Sequence, residues 1–173
     1  MSNRNSKPIS PAQVVAAAGL AAMKHDAEHI NPAALETFLH GAQEGCFAFE
    51  LRMKHAQFAG DTKRINELKP ELEKFQKRKA YYEKEIAAQF PQHKPAPSPN
   101  LKMLERQIVL QDYLGALELK RNAQIASKAA KALGDKDEEK VAFLDMQRAL
   151  KYIELLEPKF KRYEREMKKE LPS

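Results

Sequence analysis

The sequence has no tryptophan, a single cysteine and only six glycines in 173 residues. It also has no apolar run approaching the ~20 residues a membrane-spanning helix needs. Each scarcity excludes something. Cys46 alone can form neither an internal disulfide nor a thiolate metal cluster, and its ordinary role is a small side chain packed on a helix. Met1 to Ser10 is polar, and the Ala-rich run behind it lacks a signal-peptide core. A reducing, cytoplasmic setting is therefore expected. No stretch alternates Val, Ile and Thr with polar residues, which argues against sheet.

Catalytic signals are equally sparse. There is no Gly-rich phosphate loop, and no Ser, Cys or Lys stands in a nucleophile context. The segment His25-Asp26-Ala27-Glu28-His29 puts two imidazoles at i and i+4. The zinc-protease pattern requires Glu directly after the first His, and His40 is the one nearby third ligand, so no metal site is read there. No cofactor and no catalytic residue are expected, and the chain is read as non-enzymatic.

What is present is helix. Charged residues make up 31% of the chain and hydrophobic ones 43%, with Ala, Lys, Glu and Leu dominant. That mixture at helical spacing indicates long, partly exposed helices. Residues 1–9 are expected to be disordered. Ser10-Pro11 and Asn31-Pro32 each pair a capping side chain with a proline at the first helical position, where its missing N–H costs nothing. The first opens Ala12 to Ile30. The second opens a helix whose stripe is Leu35, Phe38, Leu39, Ala42, Cys46, Phe49, Met53 and Ala56. Gly41 and Gly45 inside that helix predict the close approach of a neighbour. Gly60-Asp61 then supplies a helix stop and the next cap. A third helix runs from Asp61 or Thr62 to about Phe90 on Ile65, Leu68, Leu72, Phe75, Tyr82 and Ile86, with a kink expected at Pro70.

Pro91 to Pro99 carries four prolines in nine residues and reads as a semi-extended linker. Ser98-Pro99 repeats the cap signal, and a fourth helix is expected from about Pro99 to Leu133. One face of it carries Leu104, Ile108, Leu119, Ala126, Ala130 and Leu133. After Gly134-Asp135, a last helix carries a heptad-like seam through Phe143, Met146, Leu150, Ile153, Phe160 and Met167, with Pro158 as a second kink. The expected fold is all-α: elongated tandem helical hairpins of long antiparallel helices, partly coiled-coil-like. Its divisions are a first unit over 10–90, the linker over 91–99 and a second hairpin over 100–173.

The formal charge is +6, unevenly spread. From His25 to Leu51 there are five acids and no Lys or Arg. Basic groups stand at Lys77-Arg78-Lys79, at Lys159, Lys161, Arg162 and Arg165, and at Lys120, Arg121, Lys128 and Lys131. Two readings are open. The bases can dress solvated helix faces in i,i+4 pairs with Glu, or form a surface for an acidic protein, a nucleic acid or an anionic membrane. The aromatics among them, Phe75, Tyr81, Tyr82, Phe160 and Tyr163, mostly fall on the apolar stripes and are read as packing residues. A third role is a structural coiled-coil oligomer joined through Phe143 to Met167.

The run Ala130-Lys131-Ala132-Leu133-Gly134-Asp135, followed by Phe143-Leu144 and then Arg148 and Leu150, resembles the helical-hairpin repeats of the lethal giant discs family. Ala56, Gly60 and Asp61 form a partial upstream copy, with Gln57 in place of Lys and Leu68 in place of the aromatic. In this chain the gap after the turn is one residue longer, and Gln147 stands where Ala is usual. The resemblance implies an adaptor whose basic hairpins bind acidic ESCRT-III subunits during endosomal membrane remodelling. It would place Lys128, Lys131, Lys140, Arg148 and Lys151 on the partner-facing hairpin. A lipid-binding β-sandwich often follows in that family, and this sequence carries none.

Overall fold

The computed structural model describes residues 31–94 and 96–170. The expected disordered start, the helix Ala12 to Ile30 and the His25/His29 pair lie outside the described residues. Four helices follow in order: α1 (Pro32–Ala59), α2 (Thr62–Gln89), α3 (Leu101–Leu133) and α4 (Lys136–Glu170). No strand occurs among the described residues. Helix α1 pairs with α2 and α3 with α4, the tandem antiparallel hairpins that the spacing predicts.

The caps explain where each helix begins and ends. The Asn31 side chain accepts from Ala34 N at 3.0 Å, and Pro32 takes the first helical position. Gly60 and Gly134 both adopt φ 69°, the left-handed conformation that glycine reaches without strain. The N–H of Asp61 returns to Ala56 O and that of Asp135 to Ala130 O, each at 2.9 Å, so free carbonyls at the helix ends are satisfied. Each Asp then starts the next helix. Asp61 Oδ1 accepts from Arg64 N, and Asp135 Oδ1 accepts from Asp137 N and Glu138 N. Helix α3 departs from expectation: its cap is Asn100, which accepts from Lys102 N, and the Ser98-Pro99 pair stays extended ahead of it. Pro70 and Pro158 stand inside continuous helices at exposed positions, where water can take the carbonyls they leave unpaired.

Packing within the first hairpin follows the expected stripes except at Phe38, which is 43% exposed. Leu35, Leu39, Ala42, Cys46 and Ala56 of α1 are buried, as are Leu68 and Ile86 of α2. Phe75 lies flat on Gly45: a Cβ there would overlap its ring, so this glycine does serve close approach. Gly41 meets nothing and does not. Phe49 stacks on Phe75 at 5.4 Å and Phe38 on Tyr82 at 5.7 Å, which makes these aromatics packing residues.

The second hairpin closes differently from expectation. Its buried seam is Val109, Ala116, Ala123 and Ala130 on α3, and Ala142, Ala149, Leu156 and Tyr163 on α4. Both rows recur every seventh residue, the repeat that keeps one face on a partner helix. Arg106 bonded to Glu166 and Tyr113 stacked on Phe160 set the register. That register brings Ala123 level with Ala149 and Ala130 level with Ala142. The stripe expected on α4 is thus displaced: Phe143 is 59%, Leu150 41% and Met167 44% exposed. On α3, Ile108 and Ala130 of the expected face are buried, whereas Leu133 is 83% exposed. Near the turn, alanine methyls hold the two backbones together, while the larger Val109, Leu156 and Tyr163 form the core farther down.

The two hairpins are joined by more than the linker. Helix α1 contacts both α3 and α4. His55, 2% exposed, places Nδ1 at 2.7 Å from Asp112 Oδ2, and Arg52 Nη2 donates to Gln111 Oε1 at 2.7 Å. The Tyr152 hydroxyl donates to Asp61 Oδ2 at 3.3 Å. One carboxylate therefore caps α2 and ties the first turn to α4. The proline-rich segment is strapped down as well: Ala96 N donates to Glu36 Oε1 at 2.6 Å, and His93 Nε2 lies 2.9 Å from the same oxygen.

Candidate partner-binding surface

These contacts fix the longitudinal placement. Arg52 and His55 meet Gln111 and Asp112, and the first turn meets Tyr152, so α1 runs alongside the lower part of α3 in the same direction. The cleft beneath that turn, about 390 Å³, is lined by Asp61, Arg64, Gly115, Leu119 and Tyr152 among others. Beyond Leu119, the second hairpin continues for fourteen residues to Leu133, about 21 Å at 1.5 Å per residue. That overhang holds the resemblance-bearing turn. Asp135 Oδ1 serves only its own helix, whereas Asp61 is engaged by Tyr152.

Helical spacing divides the overhang into two sides about the alanine seam. The side on which α1 lies farther down presents Leu133 from α3 and Val141, Leu144, Arg148 and Lys151 from α4, with Lys140 along the outer edge. Ala126 and Ala129 on α3 leave this side shallow. The far side carries Lys120, Arg121, Lys128 and Lys131 on α3. It also carries an apolar stripe: Met103, Leu110, Leu114 and Leu117 from α3 against Phe143, Leu150, Phe160 and Met167 from α4, whereas Ile125, two heptads from Gln111, lies on the outer edge toward the α1 side. Its lower end is a groove of about 560 Å³ between Met103, Leu110, Phe160 and Met167. The seven basic residues expected to bind a partner thus do not form one surface. Four share the far side, Arg148 and Lys151 belong to the α1 side, and Lys140 lies on the outer edge of α4 between the two.

Ion pairing separates the basic groups further. Lys159 meets Glu105 at 3.7 Å, Lys161 meets Glu157 at 2.7 Å, and Arg162 meets Glu166 at 3.9 Å while lying over the Tyr163 ring. Lys79 meets Glu83, and Arg78 lies over Phe75. These are the self-paired helix faces of the plainer reading. On the overhang, Lys131 pairs with Glu139 across the turn at 3.6 Å, and Arg148 with Asp145 at 2.8 Å. Lys120, Arg121, Lys128 and Lys140 have no ion pair among the described residues. Lys151 Nζ comes within 3.8 Å of where a Cβ on Gly60 would stand. There it meets the negative C-terminal end of α1, a favourable site for a cation.

Perturbed groups lie at the joints of the fold. The Ala96 amide holds the Glu36 carboxyl below its ordinary value against the opposing effect of burial, with His93 assisting. Arg106 does the same for Glu166. Burial raises the Tyr152 phenol, reinforced by Asp61, and raises the Cys46 thiol. Sequence reasoning missed the His55–Asp112 pair, the Glu36 strap and the far-side apolar stripe. The first two join residues distant in sequence; the α4 half of the stripe was read as the internal seam, and its α3 half was not singled out. No cluster of His, Cys, Asp and Glu among the described residues could hold a metal, and no described helix is long and apolar enough to cross a membrane. No protein-family model, curated protein or solved structure matches the chain.

Proposed function

We propose that the chain is a non-enzymatic helical adaptor that takes an acidic helix of a partner protein on the overhanging end of its second hairpin. The observation that carries this reading is the coincidence there of cations with large exposed apolar side chains. Val141 and Leu144 are 53% and 47% exposed beside Lys140 and Arg148. Apolar exposure next to charge marks contact surfaces, and an amphipathic helix meets such a groove with its own apolar face. A helix docked there would continue the track that α1 occupies farther down. The resemblance to the lethal giant discs repeats supports an ESCRT-III-type subunit as that partner, in membrane remodelling.

The test is binding of the full chain to a purified acidic ESCRT-III subunit, read by titration. Lys140→Glu with Arg148→Glu should weaken binding at least about tenfold, since like charges face each other across the contact. Lys69→Glu with Lys77→Glu, on the outer face of α2, should change it less than about twofold. Equal losses from the two pairs would remove the overhang as the binding surface. A steep fall in affinity for generic DNA or RNA with rising salt would instead favour a nucleic-acid partner, and sedimentation with acidic liposomes a membrane.

A further inference from the structure

We infer that the far side of the second hairpin is a homodimer interface, on which a second copy of this chain packs its own α3 and α4 to close a four-helix bundle. The inference is independent of what the overhang's other side binds. Helix α1 covers only the opposite side, so among the described residues no helix lies over this one. Met103 is 67%, Leu114 53%, Leu117 39% and Phe143 59% exposed. At roughly 200 Å² for a fully exposed large side chain, the seven exposed residues of the stripe present on the order of 700 Å². The largest patch on a typical monomer is about 300–600 Å². The figure approaches the ~800 Å² that each partner contributes to a standard stable interface.

A two-helix layer with one apolar side is half of a bundle, and its own duplicate is a complement of the right length and flatness. The α1 side already shows one helix packed on this layer. Charge complementarity between two copies falls at the edges of the stripe. Along α4 the acids Glu157 and Glu164 are neutralised within the chain by Lys161 and Lys168. Arg121 on the α3 edge and Glu154 on the α4 edge have no ion pair among the described residues. A twofold axis running along the hairpin lays α3 of one copy over α4 of the other. Arg121 then comes within a turn of Glu154 of the second copy.

Sedimentation equilibrium of the full chain at tens of micromolar tests this directly. The expected mass is twice the 19.7 kDa of one chain. Leu114→Glu with Leu117→Glu, both at exposed positions, should halve it with the helical circular-dichroism signal unchanged. Phe58→Glu, an exposed apolar site on α1, should leave the dimer intact. Arg121→Glu alone should weaken the dimer several-fold, and adding Glu154→Arg should restore it. A monomeric wild-type chain overturns the proposal. So does a dimer that survives Leu114→Glu with Leu117→Glu, or a charge exchange that fails to restore association.

Discussion

At the scale of residues, the joints between the hairpins are small polar contacts with buried partners. His55 and Asp112 stand 57 positions apart and meet at 2.7 Å with the imidazole almost wholly buried. Removing that side chain leaves Asp112 without its closest partner and opens space beside α3. His55→Ala should therefore cost roughly 1.5–3 kcal/mol, the range for a lost hydrogen bond to a charged group, read from denaturant unfolding. No local signal in the sequence marks His55, a single histidine between Lys54 and Ala56, because its partner lies in another helix. Glu36 gives a pH signature. Its folded-state carboxyl titrates below the ordinary 4.5. Its contribution is therefore complete above that value and is lost as pH falls through the lowered one. Protection of the Ala96 amide from hydrogen exchange should drop over that acid interval in the wild type. In Glu36→Gln it should lack that step.

At the scale of elements, the caps were legible and one seam was not. Asn31-Pro32, Gly60-Asp61 and Gly134-Asp135 act through chemistry confined to a few neighbouring residues, and each marks a helix end where the structure has one. The α4 seam was read through Phe143, Leu150 and Met167 because large apolar residues usually lie inside. Here the hairpin buries Ala142 and Ala149 instead, since small side chains let two backbones approach closely, and the large ones are turned outward. The two readings differ by one residue along the helix, about 100° around it. Ala123→Leu should force the helices apart and destabilise the chain by about 1–3 kcal/mol. Phe143→Ala should change stability by less than about 0.5 kcal/mol. Thermal unfolding of both variants checks this, and the reverse order would restore the large-residue seam.

At the scale of the whole molecule, the sequence carried the all-α class, the two hairpins and the linker between them. It did not carry how they sit together, because the contacts that decide it are scattered. Glu36 pins the linker, Arg52 and His55 grip α3, and Tyr152 holds the first turn through Asp61. The consequence is an overhang: one turn lies against the second hairpin's flank, and the other stands clear with Lys140, Val141 and Leu144 exposed. Both the proposed adaptor surface and its place beyond α1 depend on that fixed offset. Spin labels at Phe58→Cys and Leu133→Cys, in a Cys46→Ala background, measure it by electron–electron dipolar spectroscopy. The account predicts a single narrow distribution near about 30 Å, from the helical rise between the two turns. A broad distribution, or one centred beyond about 50 Å, would show hairpins swinging on their linker and would contradict it.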